Sequence, residues 1–196
     1  MISNENMRTQ KKRRIIKYRG AAREVLEYID SIVFVIAAMM LIFTLFGRLT
    51  IVEGISMEDT LFEHDYVFLS YRYSDLDLGD IIVCENKSNV YHKEPIVKRV
   101  IAKEGQIVDI NFDTWTVTVD GEVIDEPYIK LANERRITSD WVYPYTVPEN
   151  HIFVMGDNRN NSADSRLMEV GPVDVRFIVG KVMFRIFPLN KIAFFG

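Results

Sequence analysis

With 196 residues, 48% of them hydrophobic and 27% charged, the chain is long enough for one core domain and too apolar to stay disordered. Its net charge of -4 hides an asymmetry: residues 1–30 hold eight Lys/Arg against four Asp/Glu, and the remainder holds sixteen against twenty-four. A basic head on an acidic body argues against nucleic-acid binding by the body and fits a tail facing an anionic membrane surface. The single cysteine, Cys84, excludes an internal disulfide and a multi-cysteine metal site. Within Ile81-Ile82-Val83-Cys84 it reads as a small buried apolar filler.

Residues 1–23 are polar and basic around Lys11-Lys12-Arg13-Arg14, a topology signal when an apolar segment follows. Ala21 to Asp30 reads as helical, with Val25, Leu26 and Ile29 spaced for one face. From Ser31 to Gly47 seventeen residues pass without a charge, the short end of what spans a bilayer as a helix, and Tyr28 and Ile29 extend the run. A buried core helix would compete with this assignment, but the run is apolar on every side. A cleaved signal peptide would be followed by a small-x-small pattern, which is lacking. The run therefore reads as an uncleaved anchor, 29–47, behind a cytoplasmic tail, 1–28. The excess of Lys/Arg before it places residues 48–196 on the outer side.

Beyond the anchor the pattern changes to short alternating runs. Strands are expected at Tyr66–Tyr71, Ile81–Cys84, Ile96–Ile101, Gln106–Ile110, His151–Met155 and Ile178–Ile186. Thr116–Val119, Asp120-Gly121 and Glu122–Ile124 form a hairpin signal, because Asp-Gly suits a tight primed turn. Residues 126–148 lack period, hold Pro127, Pro144 and Pro148, and carry Glu134-Arg135-Arg136. They read as a surface excursion, and with the hairpin they make a small insertion at 104–148. The fold class is mainly β: an antiparallel β-sheet ectodomain, 48–196, with one N-terminal transmembrane helix.

In a strand, Ile96, Lys98 and Val100 share one face and Val97, Arg99 and Ile101 the other. With apolar neighbours on both faces, the strand reads as buried on both sides. A lysine there would be desolvated and pushed toward its neutral form, which can accept a proton from a serine hydroxyl. From spacing alone, a lysine that snorkels to solvent or pairs with a carboxylate is the commoner outcome. Ser56 alone reads equally as a loop or cap serine. Its Gly54-Ile55-Ser56 context lets the backbone approach closely at Gly54, and the Ser56 amide could bind a developing oxyanion. It is not a nucleophile elbow, since Glu58 stands where the second glycine belongs.

The densest polar run is Gly156 to Arg166. By composition it could be an exposed loop, but it directly follows an apolar strand and interleaves two arginines with two aspartates. That fits a buried, ion-paired loop orienting a site. His64, His92 and His151 are scattered and show no metal-ligand spacing. Asp109-x-Asn111-x-Asp113 opens like a calcium loop but has Thr114 where the glycine belongs and Asp120 at its end. Asn86-Lys87-Ser88 and Asn160-Asn161-Ser162 match glycosylation acceptors, a pattern common by chance. Neither a metal nor a cofactor is expected.

Ser56-Met57-x-x-Thr60-Leu61, Gly79-Asp80-Ile81-Ile82-Val83, Lys98-Arg99-Val100-Ile101 and GDNRNNSADSR at 156–166 occur in that order. Together they resemble the bacterial type I signal peptidases, serine–lysine endopeptidases that remove signal peptides from exported proteins, here in the single-anchor Gram-positive form. The resemblance implies that Ser56 is the nucleophile and Lys98 the general base. It implies that Ser162 hydrogen-bonds and orients the lysine, with Gly54 beside the oxyanion site. Asp157, Arg99, Asp164 and Arg166 would support the site, the last two by ion pairing. It further implies a β-sheet ectodomain resting on the lipid bilayer, pre-protein substrates with small residues at -3 and -1, and a monomer. Two positions depart from the family pattern: Asp59 replaces a usual proline, and Glu104-Gly105-Gln106 replaces Pro-Gly-Asp. A self-cleaving repressor-type peptidase would share the dyad but needs an N-terminal DNA-binding domain where this chain has an anchor. A catalytically idle membrane-anchored β-domain that binds envelope partners is the alternative of another class.

Overall fold

The computed structural model describes residues 2–71, 76–85, 95–131 and 138–196, with side chains from residue 23 onward except Ile42. Asn86-Lys87-Ser88, His92, Glu134-Arg135-Arg136 and the side chains of Lys11 to Arg14 lie outside the described residues. The chain divides into two compact units, Met1–Leu45 and Phe46–Gly196. The first consists of all but the last residue of a single 45-residue helix, α1 (Ile2–Phe46). It begins well before the expected helical segment because the basic stretch is rich in Arg and Lys and contains no proline. Its Arg23–Phe46 portion, 24 residues containing an 18-residue window of mean hydropathy 2.5, is long and apolar enough to cross a membrane.

The second unit is antiparallel β. In chain order its strands are β1 (Gly47–Ile51), β2 (Tyr66–Ser70), β3 (Ile81–Glu85), β4 (Pro95–Ala102), β5 (Ile107–Asn111), β6 (Thr116–Val119), β7 (Glu122–Val123), β8 (Tyr145–Thr146), β9 (His151–Met155), β10 (Val173–Asp174), β11 (Ile178–Phe187) and β12 (Ala193–Phe194). Among the described residues they form two sheets. One runs β1-β2-β11-β3-β4-β9-β10, with β12 also on β11; the other runs β7-β6-β5-β8. The chain turns from helix to strand at Gly47, which pairs with Ser70; a side chain there would collide with the Leu69 carbonyl.

The expected strands form with boundaries shifted by a residue or two. β1, β8, β10 and β12 were not expected: three of them are two residues long and show no period. The β6–β7 turn places Asp120 at φ 54° and Gly121 at φ 86°, the left-handed pair a primed turn requires.

The site depends on β4. It is central in the larger sheet, between β3 and β9, and everything from Val97 to Ala102 is buried. One face joins a core of Val52, Met57, Leu61, Val67 and Leu69. The other joins Ile82, Cys84, Ile152 and Val154. A third cluster, with Ile101, Phe153 and Met155 against Val108, Val117 and Val147, packs the two sheets together. Cross-strand register sets Lys98 opposite Ile82 and Arg99 opposite Ile81. A two-sided apolar strand has thus carried two cations into the interior, and each must find its partners there.

Candidate active site

Ser56 lies in the loop between β1 and β2. Backbone bonds close the base of that loop: the Val52 N–H donates to Asp65 O at 2.8 Å and the His64 N–H to Val52 O at 2.9 Å. Met57 and Leu61, both fully buried, sink its middle into the core. The Thr60 and Leu61 N–H groups donate to Met57 O at 2.9 and 2.8 Å, tightening the turn after the serine. Gly54 sits at φ 81°, and a Cβ there would meet no atom within 4 Å. The glycine is therefore required by its left-handed backbone and not, as the sequence had indicated, by crowding.

Ser56 Oγ lies 2.8 Å from Lys98 Nζ, and Lys98 Nζ also donates to Val97 O at 2.9 Å. Lys98 is only 3% exposed. Burial pushes its ammonium below the ordinary lysine range; Asp164 and Asp157 oppose that shift and Arg166 adds to it. The Cys84 thiol, on the same face, is itself pushed up to about 12 by burial. It is neutral at physiological pH and gives the lysine no counter-charge. A neutral amine within hydrogen-bond reach of a hydroxyl is an arrangement that can deprotonate a serine.

The polar run 156–166 is buried, as expected, but its ions pair differently from a self-contained loop. Arg166 and Asp164 pair with each other, Nε to Oδ1 at 2.7 Å and Nη2 to Oδ2 at 2.8 Å. Burial alone would raise the Asp164 carboxyl; Arg166 and the Gly156 N–H, which donates at 3.0 Å, hold it below the ordinary range. Asp157 pairs instead with Arg99 of β4, at 2.8 and 2.6 Å, and accepts from the Thr60 hydroxyl. Arg159 pairs with Glu126. Arg99 also donates to Gly79 O at 2.7 Å and lies 3.8 Å over the Tyr128 ring. The second cation of β4 thus holds the loop that carries the serine to the loop that lies beneath it.

Backbone contacts complete the joint. The Asn158 N–H donates to Ser56 O at 3.0 Å, and its side-chain amide to Ile55 O at 3.1 Å. Gly156 permits this approach: a Cβ there would overlap Ser162 and stand 2.5 Å from Ser56 O. Gly156→Ala is therefore expected to displace Ser56 from Lys98 and lower kcat roughly 100-fold, measured as steady-state cleavage beside an unchanged far-ultraviolet spectrum.

Ser162 is 1% exposed. Its hydroxyl makes no hydrogen bond to Lys98, whose contacts are Ser56 and Val97, and lies near enough to Asp164 to help keep that carboxyl ionised. The expected Ser162–Lys98 hydrogen bond is thus not made. Sequence reasoning missed Gly156, Asn158, Glu126, Tyr128 and Lys130. The last three belong to the stretch read as a surface excursion; Glu126 and Lys130 contact the loop at 156–159 and Tyr128 contacts Arg99, each about thirty residues away, and no local period announces them.

The family described as signal peptidase, peptidase S26, matches residues 25–187. Signal peptidase I of Bacillus licheniformis is 32% identical over 186 residues, covering 90% of this chain and 96% of that protein. Signal peptidase I S of Bacillus subtilis (strain 168) is 34% identical over 180 residues, covering 86% and 92%. The crystal structure of a signal peptidase I from Enterococcus faecalis V583 is 27% identical, with a TM-score of 0.45, and covers 55% of this chain and 96% of that one. The chain belongs to the signal peptidase family, peptidase S26.

Proposed function

We propose that Ser56 is the nucleophile and Lys98 the general base with which this chain, a serine endopeptidase, removes N-terminal signal peptides from exported pre-proteins. The observation that carries the assignment is the 2.8 Å approach of Ser56 Oγ to an amine that is buried and shifted toward neutrality. Neutral Lys98 takes the hydroxyl proton as Ser56 Oγ attacks the scissile carbonyl. The proton passes to the leaving amine, an acyl-enzyme remains, and Lys98 then activates the water that releases it. The Ser56 N–H is a donor for the oxyanion, with Gly54 shaping the backbone that presents it. Arg99 and Asp157 tie the 156–166 loop to β4, Asp164 and Arg166 brace that loop from within, and Ser162 packs against Gly156.

The substrates are pre-proteins with small residues at -3 and -1. The basic tail, 1–28, faces the cytoplasm, the anchor, 29–47, makes a single pass through the lipid bilayer, and the catalytic domain, 48–196, with an insertion at 104–148, lies outside as a monomer. The bias of Lys/Arg before the apolar segment supports this orientation.

The test is cleavage of a pre-protein carrying alanine at -3 and -1 by the detergent-solubilised full chain, read by the new N-terminus. Cleavage after the -1 alanine, and its loss on exchange for phenylalanine, is expected; cleavage elsewhere would refute the substrate assignment. Because Lys98 must be neutral to act, kcat/KM should rise with pH along an acid limb below the ordinary lysine pKa of 10.5. A profile flat through that limb, or one unchanged in Lys98→Arg, would exclude the lysine as base.

A further inference from the structure

The turn that follows Ser56 carries two adjacent carboxylates, Glu58 and Asp59, and one cation meets both. Lys130 Nζ lies 3.4 Å from Glu58 Oε2 and 3.0 Å from Asp59 Oδ1. The backbone of that lysine is fixed to the loop at 157–159. Its N–H donates to Asp157 O at 2.8 Å and its carbonyl accepts from the Arg159 N–H at 3.1 Å, a parallel bridge to Asn158. Asn158 in turn holds the Ser56 and Ile55 carbonyls. Two further contacts pin the stretch 126–130: Glu126 pairs with buried Arg159, and Tyr128 lies under Arg99.

Lys130 therefore closes a ring around Ser56. Its backbone grips the loop beneath the serine, and its ammonium grips the turn beyond it. The links of that ring differ in kind. The Arg99–Asp157 and Arg166–Asp164 pairs are buried and the Lys98–Ser56 contact is part-buried. The Lys130 pairs are partly open to water, with side-chain exposures of 35% for Lys130 and 64% for Asp59. Mobile ions screen an exposed pair far more than a buried one. Asp59 and Glu58 also keep the Lys130 ammonium above the ordinary lysine range, so it stays charged at any working pH.

We propose that Lys130 is a positioning residue: by bridging Glu58 and Asp59 it holds Ser56 within reach of Lys98, and it makes turnover sensitive to ionic strength. The proposal rests on the assignment of Ser56 as nucleophile. A merely structural role of Lys130 would leave the salt dependence of the remaining activity in place, whereas loss of this bridge removes it.

The test measures kcat and KM for pre-protein cleavage by the full chain between about 50 and 500 mM NaCl, a range over which screening becomes strong. Wild-type kcat is expected to fall with salt. Lys130→Met should lower kcat roughly tenfold at low salt, with KM little changed, and flatten the salt dependence. Lys130→Arg should restore most of both. Lys103→Met, which removes an exposed pair with Asp77 at 3.8 Å, controls for general salt effects and should keep the wild-type slope. Should Lys130→Met not accumulate, Glu58→Gln with Asp59→Asn interrogates the same bridge from the other side and should flatten the slope likewise. Wild-type kcat in these variants, or a reduced kcat with the full salt slope, would overturn the proposal. Labelling of wild-type Ser56 by an acylating probe separates the two levels: absent labelling removes the nucleophile assignment, whereas labelling with an unchanged Lys130→Met removes only the role of Lys130.

Discussion

Lys98→Met is expected to lower kcat by about four or more orders of magnitude and to raise the melting temperature of the catalytic unit. The first effect follows from losing the only amine within reach of Ser56 Oγ among the described residues. The second follows from proton linkage. Lys98 is 3% exposed, and burial holds its pKa below the 10.5 of an unfolded lysine. Between the folded pKa and 10.5 the unfolded chain binds more protons at this site than the folded one, so stability rises with pH across that window. Below the window the folded lysine is charged and bears the full cost of burial. At neutral pH the residue therefore costs stability, whichever form it takes. Methionine has a similar length and no charge to desolvate. The lost donation to Val97 O at 2.9 Å offsets part of the gain. The net is on the order of 1 kcal/mol, roughly 2–4 °C. A thermal scan of the detergent-solubilised variant reads it. A melting point well below wild type would mean that the amine is a structural asset, not a cost carried for chemistry.

Arg166→Met should act in the opposite sense. Both Arg166 and Asp164 are 0% exposed, and their two-bond pairing is the main opposition to the desolvation of the carboxylate. Removing the guanidinium leaves a buried charge unpaired, at a cost of about 3–5 kcal/mol. For a unit of this size that is roughly 6–20 °C in melting temperature. Activity should fall as well, because Asp164 also accepts from the Gly156 N–H beside Ser56 O. Combining Arg166→Met with Asp164→Asn should recover part of the stability, since no charge then remains to be solvated. The pH dependence has a definite sign. The Asp164 pKa is depressed below its unfolded 3.8, so its contribution is present above that pH and is lost as pH falls through the lower, folded value. Wild type should thus lose stability in strong acid more steeply than the double variant. A double variant no more stable than Arg166→Met would locate the damage in packing instead of charge.

Much of the fold is legible in the sequence because strand period and turn chemistry are local. The alternation at Ile96–Ile101, the Asp120-Gly121 turn and the unbroken apolar run before Arg48 each announce their structure within a few residues. The dyad is legible only through the order of the motifs. Spacing alone favours a lysine that snorkels or pairs with a carboxylate, whereas β4 buries Lys98. What the sequence did not convey is long-range. Nothing near Glu126, Tyr128 or Lys130 marks them as partners of Arg159, Arg99 and the Glu58–Asp59 turn. Their stretch looked like an excursion because it lacks period: it is held by isolated side chains of Glu126 and Tyr128 and by a single backbone bridge at Lys130. The pairing within 156–166 was visible only in part. Interleaved charges suggest ion pairs, yet two of the four groups pair outside the loop, with Arg99 and Glu126. Asp59 changes meaning most. In the sequence it is only a departure from the family pattern, whereas its contact with Lys130 tethers the turn after Ser56.

The central claim is that a neutral, buried Lys98 activates Ser56, and covalent labelling tests it most directly. The full chain in detergent is treated with an acylating active-site probe across pH, and the modified residue and its rate are read by mass spectrometry. The expected result is a single label on Ser56 whose rate rises with pH in wild type and is nearly lost in Lys98→Met. Labelling at another residue, or equal rates with and without Lys98, would contradict it.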